Sequence, residues 1–171
     1  KDWTVTASAR QGNTQQGFLE LSQPVRLEQQ DGAIHAGTTR WNLAEQRLRS
    51  FAPFQGKRQE ATATGDGFVI DEAATSVSIS KAGQLTQPGE SLNAHRCSWN
   101  WVTHRVVADG DVVLRRQDPD QETRAPRMEG QLGSKEGVRF GSTGQRVQSS
   151  IRFRPDQSRS TPPSSRPRVS F

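Results

Sequence analysis

Apolar positions along the chain recur with a period of two. Trp3, Val5 and Ala7 alternate with Asp2, Thr4 and Thr6, and Val25 and Leu27 with Arg26 and Glu28. Val77 and Ile79 sit between Ser76, Ser78 and Ser80. Val112 and Leu114 are followed by Arg115-Arg116 and then by an Asp118-Pro119-Asp120 turn. Val147, Ser149, Ile151 and Phe153 share a phase, with Gln148, Ser150, Arg152 and Arg154 between them. Successive strand residues point to opposite faces, so this pattern predicts half-buried antiparallel strands bounded by turns. Gly65-Asp66-Gly67 and Gly110-Asp111 read as hairpin turns, because glycine reaches positive φ at little cost. The best helical stretch, Leu43–Leu48, is too short to stand alone and fits a turn equally well. The prediction is an all-β fold of about a dozen or more strands of roughly five residues each.

Internal echoes sharpen that picture. Arg40-Trp41-Asn42-Leu43 is matched by Ser98-Trp99-Asn100-Trp101 at an offset of 99 − 41 = 58, where Ala36 also meets Ala94 and Arg47 meets Arg105. Pro24-Val25-Arg26-Leu27 pairs with Asp111-Val112-Val113-Leu114 at 112 − 25 = 87. Repeated hairpins in the same apolar phase point to stacked β units. The division read from them is a β domain over 1–153, with two repeat units at roughly 17–80 and 85–153, and a tail over 154–171.

Composition narrows the class. Only 30% of the 171 residues are hydrophobic, too few for parallel strands buried on both faces, which need near-continuous apolar runs. Thin antiparallel sheets with one apolar face remain. No stretch approaches the roughly 18–20 apolar residues that span a bilayer, which predicts a soluble chain. The net charge is +5. Of this, Arg154, Arg159, Arg166 and Arg168 against Asp156 contribute 4 − 1 = +3, which leaves 5 − 3 = +2 spread over the body without a run. The Ser/Pro/Arg-rich tail reads as a disordered, solvated end rather than a specific nucleic-acid binder, so no nucleic-acid partner is expected.

Reactive chemistry finds no constellation. The lone Cys97 excludes an internal disulfide. His95-Arg96-Cys97 followed by His104 lacks zinc-site spacing and a second cysteine, so these are read as exposed histidines and no metal is expected. No G-x-S-x-G occurs; Gly141-Ser142-Thr143-Gly144 is a turn with no helix behind it. Gly65-x-Gly67 is no phosphate cradle, and Asp66, Asp71 and Glu72 read as solvated turn carboxylates. The expectation is a protein that is not an enzyme and uses no cofactor. Trp3, Trp41, Trp99 and Trp101 could form a sugar-stacking platform, but a chain this poor in large apolar residues needs them in its core.

The run Leu21-Ser22-Gln23-Pro24-Val25-Arg26-Leu27-Glu28-Gln29-Gln30-Asp31-Gly32-Ala33-Ile34-His35-Ala36, followed by Trp41-Asn42, resembles the core repeat of the OstA-like periplasmic lipopolysaccharide-transport proteins. That pattern is a small-residue turn, an apolar-x-apolar strand, a polar turn, then a strand ending in Ala before an aromatic-plus-Asn pair. Ala94 through Trp99-Asn100 to Gly110-Asp111-Val112-Val113-Leu114 is similar to a second copy. The resemblance runs over roughly Trp3 to Phe153, with the LptC-like branch nearer than the LptA-like one.

The resemblance implies an open β-jellyroll, or β-taco, holding lipopolysaccharide acyl chains in a greasy trough roomy enough for hydrocarbon tails. It implies three kinds of partner: lipopolysaccharide or a related glycolipid, an inner-membrane ABC transporter complex, and other jellyroll bridge proteins docked by edge-strand addition near Trp3–Ser8 and Arg146–Phe153. It also implies a periplasmic place, tethered to the inner membrane by an N-terminal segment that these residues do not contain. The groove lining expected on this basis is Leu19, Leu21, Val25, Leu27, Ile34, Leu48, Val77, Ile79, Trp99, Trp101, Val112, Leu114, Met128, Phe140, Ile151 and Phe153. The alternative is a carbohydrate-binding or adhesive β-repeat module of the cell surface.

Overall fold

The structure is a computed structural model and describes residues 3–13, 15, 17–117, 120–133, 139–141 and 147–152. Phe153 and the 154–171 tail lie outside the described residues. Among the described residues all regular structure is β, as the period of two predicts, with fifteen strands in one antiparallel sheet. In chain order they are β1 (Thr4–Thr6), β2 (Ala9–Asn13), β3 (Phe18–Ser22), β4 (Val25–Gln29), β5 (Gly32–Ala36), β6 (Thr39–Asn42), β7 (Arg47–Arg58) and β8 (Ala61–Asp71). There follow β9 (Ser76–Gln87), β10 (Glu90–Ala94), β11 (Arg96–Asn100), β12 (Arg105–Arg116), β13 (Asp120–Gln131), β14 (Arg139–Gly141) and β15 (Gln148–Arg152).

The short strands are the halves of interrupted long ones. β5 and β6 pair along the whole of β7, and β10 and β11 along β9 and β12, while β3 and β4 pair in turn with β6 and β5 and with β2 and β1. The sheet is therefore a meander, each leg pairing with the leg before it. The interruptions line up as a crease. It runs through Pro24, Gly37, the register shift between Ser50 and Pro53 in β7, Gly65–Gly67 in β8, Ala82, His95 and Gly110–Asp111 in β12.

Two predicted hairpin turns are thus corrected. Gly65–Gly67 and Gly110–Asp111 lie inside long strands, where positive φ at Gly67, Gly110 and Asp111 bends the strand rather than reversing it. Both uses need the same backbone freedom, so the residues alone do not separate them. Gly65 also needs its missing side chain: a Cβ there would strike Ile79 Cγ2 and stand 2.9 Å from the Lys81 carbonyl oxygen.

About the crease the sheet folds on its apolar face. In β7 the alternation runs unbroken through the bend, with Leu48 and Ser50 buried before it and Phe54 and Gly56 after it. Both halves therefore turn the same face inward, and the Phe54 and Phe68 rings meet edge-on at 4.8 Å. Burying about twenty such side chains at roughly 25 cal/mol per Å² is the main force closing the fold.

The repeat is finer than the two long units read from the sequence. β4, β7, β9 and β12 end at Gln29, Arg58, Gln87 and Arg116, at intervals of 29 residues. β6, β8 and β11 end at Asn42, Asp71 and Asn100, again 29 apart. The echoes at 58 and 87 are the second and third multiples of that period. Interior side chains stack accordingly, with Leu19, Leu48, Val77 and Val106 at one level and Leu27, Leu85 and Leu114 at another.

Candidate functional site

Opposite the crease, the two halves end in facing rows of turns, which form a rim. On one side the turns follow β6, β8 and β11, and their chemistry repeats with the period. Asn42, Asp71 and Asn100 each accept, through Oδ1, the backbone N–H three residues on, from Glu45 (3.0 Å), Ala74 (2.9 Å) and Thr103 (2.9 Å). That bond is the leading cause holding the Asp71 carboxyl below its ordinary value, with the Arg47 guanidinium at 2.9 Å adding to it. Each turn closes on a left-handed residue, Gln46, Thr75 or His104, in step with Gly17 and Gly133 (φ between 51° and 79°). His104 is thus a turn-closing residue. His95 sits on the crease, its Nε2 3.2 Å from Asp111 Oδ2.

The opposite side is formed by the turns after β4, β7, β9 and β12. At one end it is bolted to the facing side. Glu90, whose side chain is only 6% exposed, accepts from Arg116 Nε at 2.7 Å, Gln87 Nε2 at 3.0 Å and, across the rim, the Gly133 N–H at 2.7 Å. At the other end the crossing contact is softer. The Arg58 guanidinium lies over the Trp101 ring, 5.5 Å from its centroid, while pairing with Asp31 at 2.6 Å.

Beneath that softer end lies an apolar cavity of about 70 Å³ between the halves. Trp3, Ile34 and Phe54 line it from one half, and Ile70, Val77 and Trp99 from the other. It adjoins a recess of about 310 Å³ at the rim with a mixed lining, which shares Arg58, Ala61, Trp99 and Trp101 with it and adds Gln59, Glu60, Gln87, Pro88, Val102 and His104. Elsewhere the interior is filled by Phe68, Leu92, Val106, Leu114 and Met128, all buried. Bulky inward side chains thus line the trough that the resemblance implies, with the cavity at its softer end. A larger hollow of about 610 Å³ opens on the outer face, but two of its arginines are engaged by carboxylates, Arg115 by Glu122 (2.8 Å) and Arg116 by Glu90.

Most of the expected lining residues face this interior. Leu21, Val25, Leu27, Leu48, Val77, Ile79, Trp99, Val112, Leu114 and Met128 are buried, and Leu19, Ile34, Trp101 and Phe140 pack half-buried against them. Only Ile34, Val77, Trp99 and Trp101 of the set border the cavity itself. Ile151 is 50% exposed: among the described residues β15 pairs with β13 alone, and Ile151 lies opposite Gln121 near the end of that ladder. Phe153 lies outside the described residues. Phe54, Phe68, Ile70, Leu85, Leu92, Val106 and Leu132 also face this interior and were not expected there; in the apolar run Phe68-Val69-Ile70 the alternation does not mark which side chains turn inward.

Three buried polar atoms have no hydrogen-bond partner among the described residues: Trp3 Nε1, Trp99 Nε1 and Glu72 Oε1. Two of the three residues line the cavity. Burial also pushes the Glu72 carboxyl above its ordinary value and the Cys97 thiol up to about 12, so Cys97 is an inert packing residue.

No family model matches the chain, and no curated protein matches it. Among solved structures it is similar to LptH of Pseudomonas aeruginosa, described as the LptA-homologous periplasmic component of the conserved lipopolysaccharide transport device. The TM-score is 0.60 at 13% identity, covering 91% of this chain and 96% of that one. The two share a β-jellyroll fold.

Proposed function

We propose that the protein is a non-enzymatic carrier of the Gram-negative-type envelope. On this reading it takes acyl chains of lipopolysaccharide or a related glycolipid between the two halves of its sheet. It works in the periplasm, receives its cargo from an inner-membrane ABC transporter and relays it along a bridge of like folds, in the LptC-like manner. The observation that carries the reading is an apolar interior with a cavity that adjoins a recess of mixed lining at the softer end of the rim. The fold shared with a lipopolysaccharide-transport component supports it.

The physics suits an acyl chain. Each methylene removed from water contributes about 0.8 kcal/mol, so a tail of ~10 carbons gains several kcal/mol, enough to displace side chains and spread a weakly held rim. Entry is helped by that spreading, since bulky side chains occupy much of the interior. Among the described residues β1 pairs with β4 alone and β15 with β13 alone, which leaves sheet edges for a bridge. A sugar-stacking surface gains no support, since Trp99 is buried and Trp3, Trp41 and Trp101 pack against the core.

Photo-crosslinking tests the reading. A photoreactive residue at Ile34 or Trp101, in cells making lipopolysaccharide, is expected to capture it far more strongly than one at His35, which is exposed on the outer face. Equal capture at the three positions rejects the carrier.

A further inference from the structure

Trp99 stands where two environments meet. Its ring is 8% exposed and lines both the apolar cavity and the recess of mixed lining. Its Nε1–H is buried and has no acceptor among the described residues. Packing alone would be served as well by an aromatic ring without a donor, and a buried donor left unpaired carries a free-energy cost. Trp3, on the same cavity, carries a second such indole. On the recess side, Arg58 lies over Trp101 while paired with Asp31.

An amphiphile with its tail in the cavity and its head in the recess places its acyl linkage at that boundary. An ester or amide linkage there is a carbonyl acceptor in need of a donor, while the indole is a donor and nothing else. We propose that Trp99 is the point at which the ligand's acyl linkage docks, its indole N–H donating to the ester or amide carbonyl oxygen. The inference rests on the carrier reading and adds a chemical requirement to it: the ligand's tail must be acyl, not merely hydrocarbon.

The test compares 1-lauroyl-glycerol-3-phosphate with its 1-O-dodecyl ether analogue, which keeps head and tail and lacks the carbonyl. Calorimetry is run below their micelle concentrations on the wild type and on Trp99→Phe. The wild type is expected to bind the ester about fivefold more tightly, the worth of one hydrogen bond. Trp99→Phe is expected to bind the two alike, near the wild type's affinity for the ether. Since the substitution could disturb packing, a second measurement uses the wild type labelled with ¹⁵N at its indoles. The ester, and not the ether, should move the Trp99 N–H proton signal downfield. Binding of both lipids without discrimination, or an ester preference that survives in Trp99→Phe, overturns the inference while the carrier reading stands. Binding of neither lipid overturns both.

Discussion

The two ends of the rim solve the same problem differently. At the β10 end a buried carboxylate, Glu90, receives three donors, one from across the rim, and the interior beneath is full. At the β7–β8 end a guanidinium rests on a ring, the cavity lies beneath, and the nearby Glu72 holds a buried carboxylate oxygen with no partner among the described residues. Ile70 and Val77, on either side of the turn that carries Glu72, both line that cavity. One end is built as a closure and the other as an opening. The difference teaches that a single repeated unit can be locked or left loose by what a few rim residues do, with the strand pairing unchanged.

The largest effect should come from breaking the lock. Glu90→Ala removes the shared acceptor of Arg116, Gln87 and Gly133 at once, and with it the link across the rim. A cost of about 2–3 kcal/mol is expected, read as a lower midpoint of urea unfolding. Arg58→Ala at the soft end forfeits a partly exposed ring contact and an ion pair, for about 1 kcal/mol or less. It should nonetheless speed exchange of a bound lipid, measured by stopped-flow displacement. Equal destabilisation by the two substitutions would erase the distinction between the ends.

Much of this was legible in the chain. Strand character followed from the alternation, and the Trp41-Asn42 and Trp99-Asn100 echoes marked true rim turns, because an inward ring followed by a side-chain cap is what such a turn needs. Ile70-Asp71 is the copy between them, hidden because isoleucine replaces tryptophan and aspartate replaces asparagine at positions that ask only for bulk and an acceptor. The period of 29 was hidden for the same reason, and only its multiples showed. Gly65–Gly67 and Gly110–Asp111 were misread because a bend and a reversal place the same demand on φ. The rim lock was out of reach altogether: Glu90 and Gly133 are distant in sequence, and only the crease brings them within 2.7 Å.

The smallest effect separates the two rim carboxylates by pH. Burial raises the carboxyl of Glu72, so the folded chain takes up its proton at a higher pH than the unfolded chain, whose ordinary value is 4.5. Between those two values the folded state holds more protons, and stability falls as pH rises through that window. Above the window Glu72 is ionised, with its buried Oε1 lacking a hydrogen-bond partner among the described residues. Glu72→Gln does not titrate, so its stability relative to the wild type should be constant below pH 4.5, improve as pH rises through the window, and level off above it. Urea midpoints of both proteins across that range give the comparison directly. A difference that grows instead as the pH is lowered would mean that folding favours the charged form of Glu72, and the soft end would then hold a partner for it much as the other end does for Glu90.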